Sequence, residues 1–210
     1  VLDLHTLALF SLACLALTAT PGPDMLLIAS RSIAQGRSVG FATLMGIQAG
    51  TYGHALAAAF GLSNLFLLVP IAYDAVRFAG AAYLLLLAWQ AFRSKQLLVP
   101  ISSESERASS VAAFRQGLVT NLLNPKMALF VLALFPQFIR ADAGSVALQV
   151  MILATALNAI GLIVNGIVIA VASRAGASVL RTGRLGRWPQ YLLGTVFGAL
   201  ALRLAFDGKR

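Results

Sequence analysis

The stretch "TATPGPDMLL", Thr18 to Leu27, interrupts an otherwise apolar run. It places Pro21, Gly22, Pro23 and Asp24 side by side. Proline has no backbone N–H and its ring clashes with the preceding helical turn. The residue before it is steered away from the helical region. The run from about Leu4 to Ala34 is 31 residues long, more than one membrane crossing needs. The stretch therefore predicts one apolar span, broken near its middle, with a carboxylate at the break.

The surrounding composition supports a membrane setting. Of 210 residues, 59% are hydrophobic and 11% charged, with a mean hydropathy of +0.85. A soluble domain carries about 25% charged residues. A helix needs roughly 20 apolar residues to cross about 30 Å of hydrocarbon. The chain has room for six such helices and reads as an all-α integral membrane protein with no soluble domain. Cys14 is the single cysteine, and His5 and His54 the two histidines. Those numbers exclude a disulfide framework, a dithiol relay and a Cys- or His-rich metal site. No cofactor is expected. The opening residues lack a basic segment before the apolar run, so they read as a first helix and not as a cleaved signal peptide. The net charge of +9 lies in loops between spans, which points to topology and not to nucleic acid.

Six spans emerge, at about Leu4–Ala34, Gly40–Val69, Asp74–Phe92, Ala112–Ile139, Val146–Ala172 and Trp188–Phe206. The longest polar connection, Arg93 to Ser110, divides them into three and three. The expected organisation is one transmembrane transporter domain over 1–210. A first repeat covers about 1–93, a cytoplasmic loop about 94–111 and a second repeat about 112–210. With the N-terminus outside, the inner loops hold Arg31, Arg37, Arg93, Lys95, Arg107, Arg115, Arg174, Arg181, Arg184 and Arg187. The outer side then holds only Arg77, Arg140, Arg203, Lys209 and Arg210. The positive-inside rule favours both termini outside.

Three spans per half reverse the orientation of the second half, so any internal repeat is inverted. "GPDML" (Gly22–Leu26) overlays "NPKMA" (Asn124–Ala128), matching Pro23 to Pro125, Met25 to Met127 and Asp24 to Lys126. "FAGAAYLLLLAWQAF" (Phe78–Phe92) overlays "LLGTVFGALALRLAF" (Leu192–Phe206). The expected architecture is two inverted three-helix repeats, with helices 1 and 4 broken at proline. Non-helical backbone at membrane depth is tolerated where it faces protein or a wet cavity. Matched broken helices mark transport sites.

Proline suits the first position of a helix, so Pro23 and Pro125 each start a half-helix. Asp24 then lies in a first turn, where the helix dipole favours an anion. Lys126 lies in the other first turn, where the dipole opposes a cation, and an ionisable group inside the membrane is costly already. Two groups stand as its compensators: Asp24, or an anionic substrate group. Asp24 is the candidate proton-coupling acid, against the alternative of a fixed ion pair with Lys126. Lys126 and Asn124 are candidate substrate ligands. Asn158 and Asn165 share one face of the fifth span, seven residues apart. They suit the amino and carboxyl groups of a zwitterion, or equally interhelical hydrogen bonds. Gln48, Thr51 and Tyr52 cluster on the second span, and Gln48 and Tyr52 join the candidate ligands. Gly46, Gly50, Gly53 and Gly61 form a small-residue surface for close packing, within one chain or across a homodimer. His54 reads as a packing residue, with a proton relay the lesser alternative.

"TPGPDMLL", "GRSVGFATLMGIQAG", "FAGAAYLLLLAWQAFR" and "FRQGLVTNLLNPKMALF" together resemble the LysE/RhtB family of bacterial amino-acid exporters. These include lysine, homoserine, homoserine lactone and threonine exporters, and the resemblance runs nearly the whole chain. It implies a multi-pass protein of the bacterial inner membrane that exports an amino acid or derivative with protons as the coupling ion. It carries Pro21, Gly22, Pro23 and Asp24 for the first motif, and Asn121, Asn124, Pro125 and Lys126 for the second. Asn121 enters the candidate substrate set on that basis. Gly36, Gly46, Gly50, Gly80 and Tyr83 are matched positions with packing roles expected. The alternative is cation or heavy-metal efflux on a related architecture. It needs soft or acidic ligands inside the spans, and one cysteine, two histidines and one central aspartate supply few. Expected partners are the small-molecule substrate, protons and membrane lipids, with a homodimer compatible and nucleic acid excluded.

Overall fold

A computed structural model of the chain describes residues 4–68 and 109–181, together with helical residues at 78, 82, 85, 86, 89, 195, 198, 199 and 202. These residues contain helices and no strand. They form α1 (Leu4–Ala19), α2 (Pro23–Gln35), α3 (Arg37–Leu68), α4 (Ser110–Leu122), α5 (Pro125–Phe138), a short 3-10 turn (Ala141–Ala143) and α6 (Val146–Arg181). Most of the third and sixth expected spans lies outside the described residues. So do Asp74, Arg77, Gly80, Tyr83, Trp188 and the loop at 93–108.

The two proline sites divide helices in the same way. α1 and α2 meet at 56°, and α4 and α5 at 55°. At the first break, Gly22 is an extended cap (φ −157°) and Pro23 opens α2. The hydroxyls of Thr18 and Thr20 turn back onto the carbonyls of Cys14 and Ala16, each at 2.7 Å. Such back-bonding bends helices. At the second break, the Asn124 side chain accepts from the Lys126 N–H at 3.0 Å and Pro125 opens α5. Asparagine before proline is thus both cap and stop.

Gly36 has a different role from the packing one expected. Its φ is +86°, and a Cβ there would meet nothing within 4 Å. Glycine reaches this left-handed region at no steric cost, which lets α2 turn into α3 over one residue. Gly46 and Gly50 do pack, and they do so inside the chain. A Cβ on Gly46 would overlap the Phe114 carbonyl oxygen, and one on Gly117 of α4 would overlap that of Thr43. α3 and α4 therefore touch backbone to backbone. Gly61 has open space around it.

α3 is the platform of the bundle, packed against α2, α4, α5 and α6. The main core joins α1, α3, α5 and α6. It contains Phe10, Ala55, Ala58, Phe130, Phe135, Val150 and Leu153, all 1% exposed or less. Phe10 meets Phe135 and Phe138 edge-on, at 5.5 and 5.2 Å between ring centres, the geometry that aromatic quadrupoles prefer. A smaller cluster of Ile28, Leu44, Ile47 and Ile169 joins α2, α3 and α6. The outer faces are apolar as well: Phe60, Leu123 and Ile163 are 73%, 77% and 64% exposed. Residues Val146–Arg174 of α6 are long and apolar enough to cross a membrane alone, and the bent pairs α1–α2 and α4–α5 qualify when each is one span. Over its described side chains α3 does not qualify by composition, because Gln48, Thr51, Tyr52 and His54 dilute it.

Gly117→Ala should force α3 and α4 apart and cost about 1–3 kcal/mol, as overpacking does. Gly61→Ala should leave stability unchanged. Thermal unfolding of the two variants in detergent checks the pair. Equal melting temperatures would deny the close approach.

Candidate functional site

The two breaks lie across from each other and hold each other's charges. The Asn121 side-chain N–H, at the end of α4, donates to Asp24 Oδ2 at 2.8 Å. In return the Lys126 ammonium, at the start of α5, donates to the carbonyl oxygens of Leu17 at 2.9 Å and Thr20 at 2.6 Å. These two oxygens belong to the C-terminal end of α1, where helical carbonyls lack partners and the dipole favours a cation. Lys126 thus starts where its own helix opposes it and ends where another helix welcomes it. Asp24 also has the Asn124 side chain beside it and attracts the Lys126 ammonium electrostatically. Backbone oxygens share the compensation of Lys126 with Asp24, whose charge favours the ammonium.

The primary structure contains a signal for this clasp. In a continuous helix the Leu17 carbonyl would bond the N–H four residues on, and that residue is Pro21. It shares the Thr20 N–H instead, at 3.2 Å, and takes Lys126 as well. Gly22 runs alongside the lysine. A Cβ there would sit 3.5 Å from both Cδ and Nζ of Lys126.

Between the breaks lies a cavity of about 60 Å³. One water needs roughly 10–15 Å³ by this measure, so several waters fit. Asp24, Gln48, Asn124, Lys126, Asn158 and Asn165 line it, with Gly22 and Thr51. The rest of the wall is largely apolar: Leu17, Met25, Leu44, Ile47, Met127 and Leu157. Two candidate ligands lie elsewhere. Tyr52 points its hydroxyl at Thr155 Oγ1, 3.2 Å away, one helical step off the cavity face. Asn121 is fully buried behind the wall, where it orients Asp24. Pro21, Pro23 and Pro125 shape the wall through the backbone and are absent from it.

The asparagines of α6 divide their work. Asn158 donates to the Gln48 carbonyl and Gln48 donates to the Asn158 carbonyl, each at 3.2 Å, which ties α3 to α6. Asn165 donates within its own helix, to Gly161 O at 3.0 Å. His54 lies 3.0 Å from the Asn121 carbonyl oxygen, so it braces α4 from α3. Among the described residues, no group of three or more His, Cys, Asp or Glu side chains converges as a metal site would require.

Exchanging the two charges, Asp24→Lys with Lys126→Asp, tests the clasp. An aspartate at 126 would face the carbonyl oxygens of Leu17 and Thr20 and lose both bonds. The double exchange should unfold at no higher temperature than either single change. Recovery of wild-type stability would mean that a direct ion pair, and not the carbonyl clasp, holds Lys126.

Comparison with known proteins agrees with this architecture. The LysE type translocator family profile matches residues 15–208. A leucine efflux protein of Salmonella typhimurium (strain LT2) is 28% identical over 190 residues, covering 88% of this chain and 87% of that protein. An uncharacterized membrane protein of Escherichia coli (strain K12), YahN, is 28% identical over 190 residues, covering 90% and 83%. A membrane protein of Vibrio cholerae is 29% identical over 138 residues, covering 66% and 67%. No solved structure matches the chain. A chain whose described residues form helices with apolar outer faces, matched by this profile over nearly its whole length, belongs to the LysE type translocator family: it is a membrane transporter and not an enzyme.

Proposed function

We propose that this protein exports an amino acid or amino-acid derivative from the cytoplasm across the bacterial inner membrane, in exchange for protons, through a site between two broken spans. The carrying observation is the reciprocal arrangement at the cavity. One acid and one base, each at a helix break, are held by the opposite break. A zwitterion presents the same two charges in reverse. The relatives named leucine efflux proteins favour an amino acid as cargo. The apolar wall of Leu44, Ile47 and Leu157 suits an uncharged side chain.

In this reading α1–α2 and α4–α5 are each one discontinuous span, and the near-equal bends support an inverted repeat. Both termini lie outside. Arg31, bonded to Gln116 at 2.6 Å, and Arg37, bonded to Ser173 at 3.0 Å, then mark the cytoplasmic end. Asp24 carries the proton, and Asn121 holds its carboxyl group in place. Lys126 takes the substrate carboxylate when it leaves the α1 carbonyls. Asn124, Asn158 and Gln48 complete the wall. The transporter works against a background of lipid contacts.

Asp24→Asn should insert normally and reduce export to the level of cells lacking the protein. The measurement is a profile of the growth medium at matched membrane levels of wild type and variant. Amino acids that accumulate outside only with wild type support the reading. Undiminished export by Asp24→Asn would remove Asp24 from coupling.

A further inference from the structure

The cavity leaves one kind of hydrogen-bonding group unanswered. Among the described residues, the buried side-chain N and O atoms without a partner are Asp24 Oδ1, Asn121 Oδ1 and Asn165 Oδ1. All are acceptors. Asp24 and Asn165 line the cavity, one from the first break and one from α6. Several of the donors around it are engaged, and the Asn124 side chain already approaches the Asp24 carboxyl. Lys126 is on the α1 carbonyls, Asn158 and Gln48 are on each other's backbone, and Asn165 spends its N–H on Gly161. A buried acceptor left without a donor costs about 1–3 kcal/mol, so an arrangement that keeps such acceptors needs a reason.

We propose that the cavity recognises its cargo by a cationic primary amine, seated between the Asp24 carboxylate and the side-chain oxygen of Asn165. An ammonium brings three N–H donors and one positive charge. The site offers one carboxylate oxygen from α2 and one amide oxygen from α6. Bonds to a charged donor are the stronger ones, and an acidic partner makes them charge-assisted. The two oxygens are shielded from solvent in this arrangement. The amine reaches them as the side chains turn about χ2, a broad torsion with low cost. The amine is then the obligatory handle on the substrate, and the carboxylate is the secondary one, because the ammonium of Lys126 must first leave the α1 carbonyls to meet it. Asn165 is a specificity-determining residue for the amine through its oxygen, not through its bond to Gly161.

This inference rests on the exporter reading, and the experiment separates the two. The full-length protein in proteoliposomes is given a mixture of the twenty standard L-amino acids, and each is followed by mass spectrometry. The amino acid that moves is then challenged with two analogues: its 2-oxo acid, which lacks the amine, and its decarboxylated amine, which lacks the carboxylate. The amine should compete and the 2-oxo acid should not. Asn165→Leu should raise the half-saturating concentration about tenfold, the value of one bond to a charged donor. Asn165→Asp keeps the acceptor while losing the donor to Gly161, and should stay within about threefold of wild type. A merely structural role for Asn165 would leave Asp as impaired as Leu. Competition by the 2-oxo acid equal to that of the amine, or an Asn165→Asp as weak as Asn165→Leu, overturns the inference and leaves the exporter reading standing. The analogue comparison uses wild type alone, so a poorly folding variant does not block it. Movement of none of the twenty overturns the reading of a standard amino acid as cargo, and this inference falls with it.

Discussion

The Lys126 ammonium on the carbonyl oxygens of Leu17 and Thr20 is the contact on which the site depends. An ammonium withdrawn from water is expensive unless it is fully hydrogen-bonded. The end of a helix is the one place where backbone oxygens stand free to do this. The break after Ala19 creates that end, and Pro21 and Gly22 keep the chain from closing it. The same break starts α2 beside Asp24, which receives Asn121 from the other break. Each break thus supplies what the other lacks. Neither half of the arrangement is satisfied without its counterpart, so the two proline sites have to face one another across a common cavity.

Backbone contact between α3 and α4 sets that facing. Gly46 and Gly117 let the two helices approach until carbonyl oxygens occupy the space of a side chain. Close approach of small residues is how helices associate where apolar burial alone does not distinguish one face from another. It brings the end of α4, and with it Asn121, against Gly50 and His54 of α3. Asn121 is then fully buried and aimed at Asp24. A looser α3–α4 pair would leave the carboxylate without its oriented partner. The helix packing and the electrostatics of the site are therefore a single problem with a single solution.

The cavity inherits its character from these constraints. Its charged groups come from the breaks, its amides from α3, α6 and the second break, and its apolar wall from the flanking turns. Such a mixture suits a small solute that is polar at one end, in keeping with a transporter of the LysE type translocator family. Groups that already answer one another, as Asn158 and Gln48 do, fix the shape of the wall. Groups that stand unanswered are where a ligand has something to gain.

Much of this was legible before any coordinates. Apolar runs too long for one crossing, each with a proline near its centre, specify broken helices, because proline removes a donor and fouls the preceding turn wherever it sits. Asn124 before Pro125 specifies a cap. Periodicity alone put Asn158 and Asn165 on one face. What it could not tell was which of two facing groups a charge would choose. Lys126 took backbone oxygens as hydrogen-bond partners, and a backbone oxygen has no letter in the sequence. Tyr52 left the cavity and Asn121 moved behind its wall because a face of a helix becomes a lining only once its neighbours are in place. Gly36 and Gly46 read alike as letters, yet one turns the chain and the other lets two backbones touch. Local backbone chemistry is written residue by residue and was determined by the sequence itself. The identity of each partner across the cavity depends on how helices distant in the chain pack, which no local run of residues encodes.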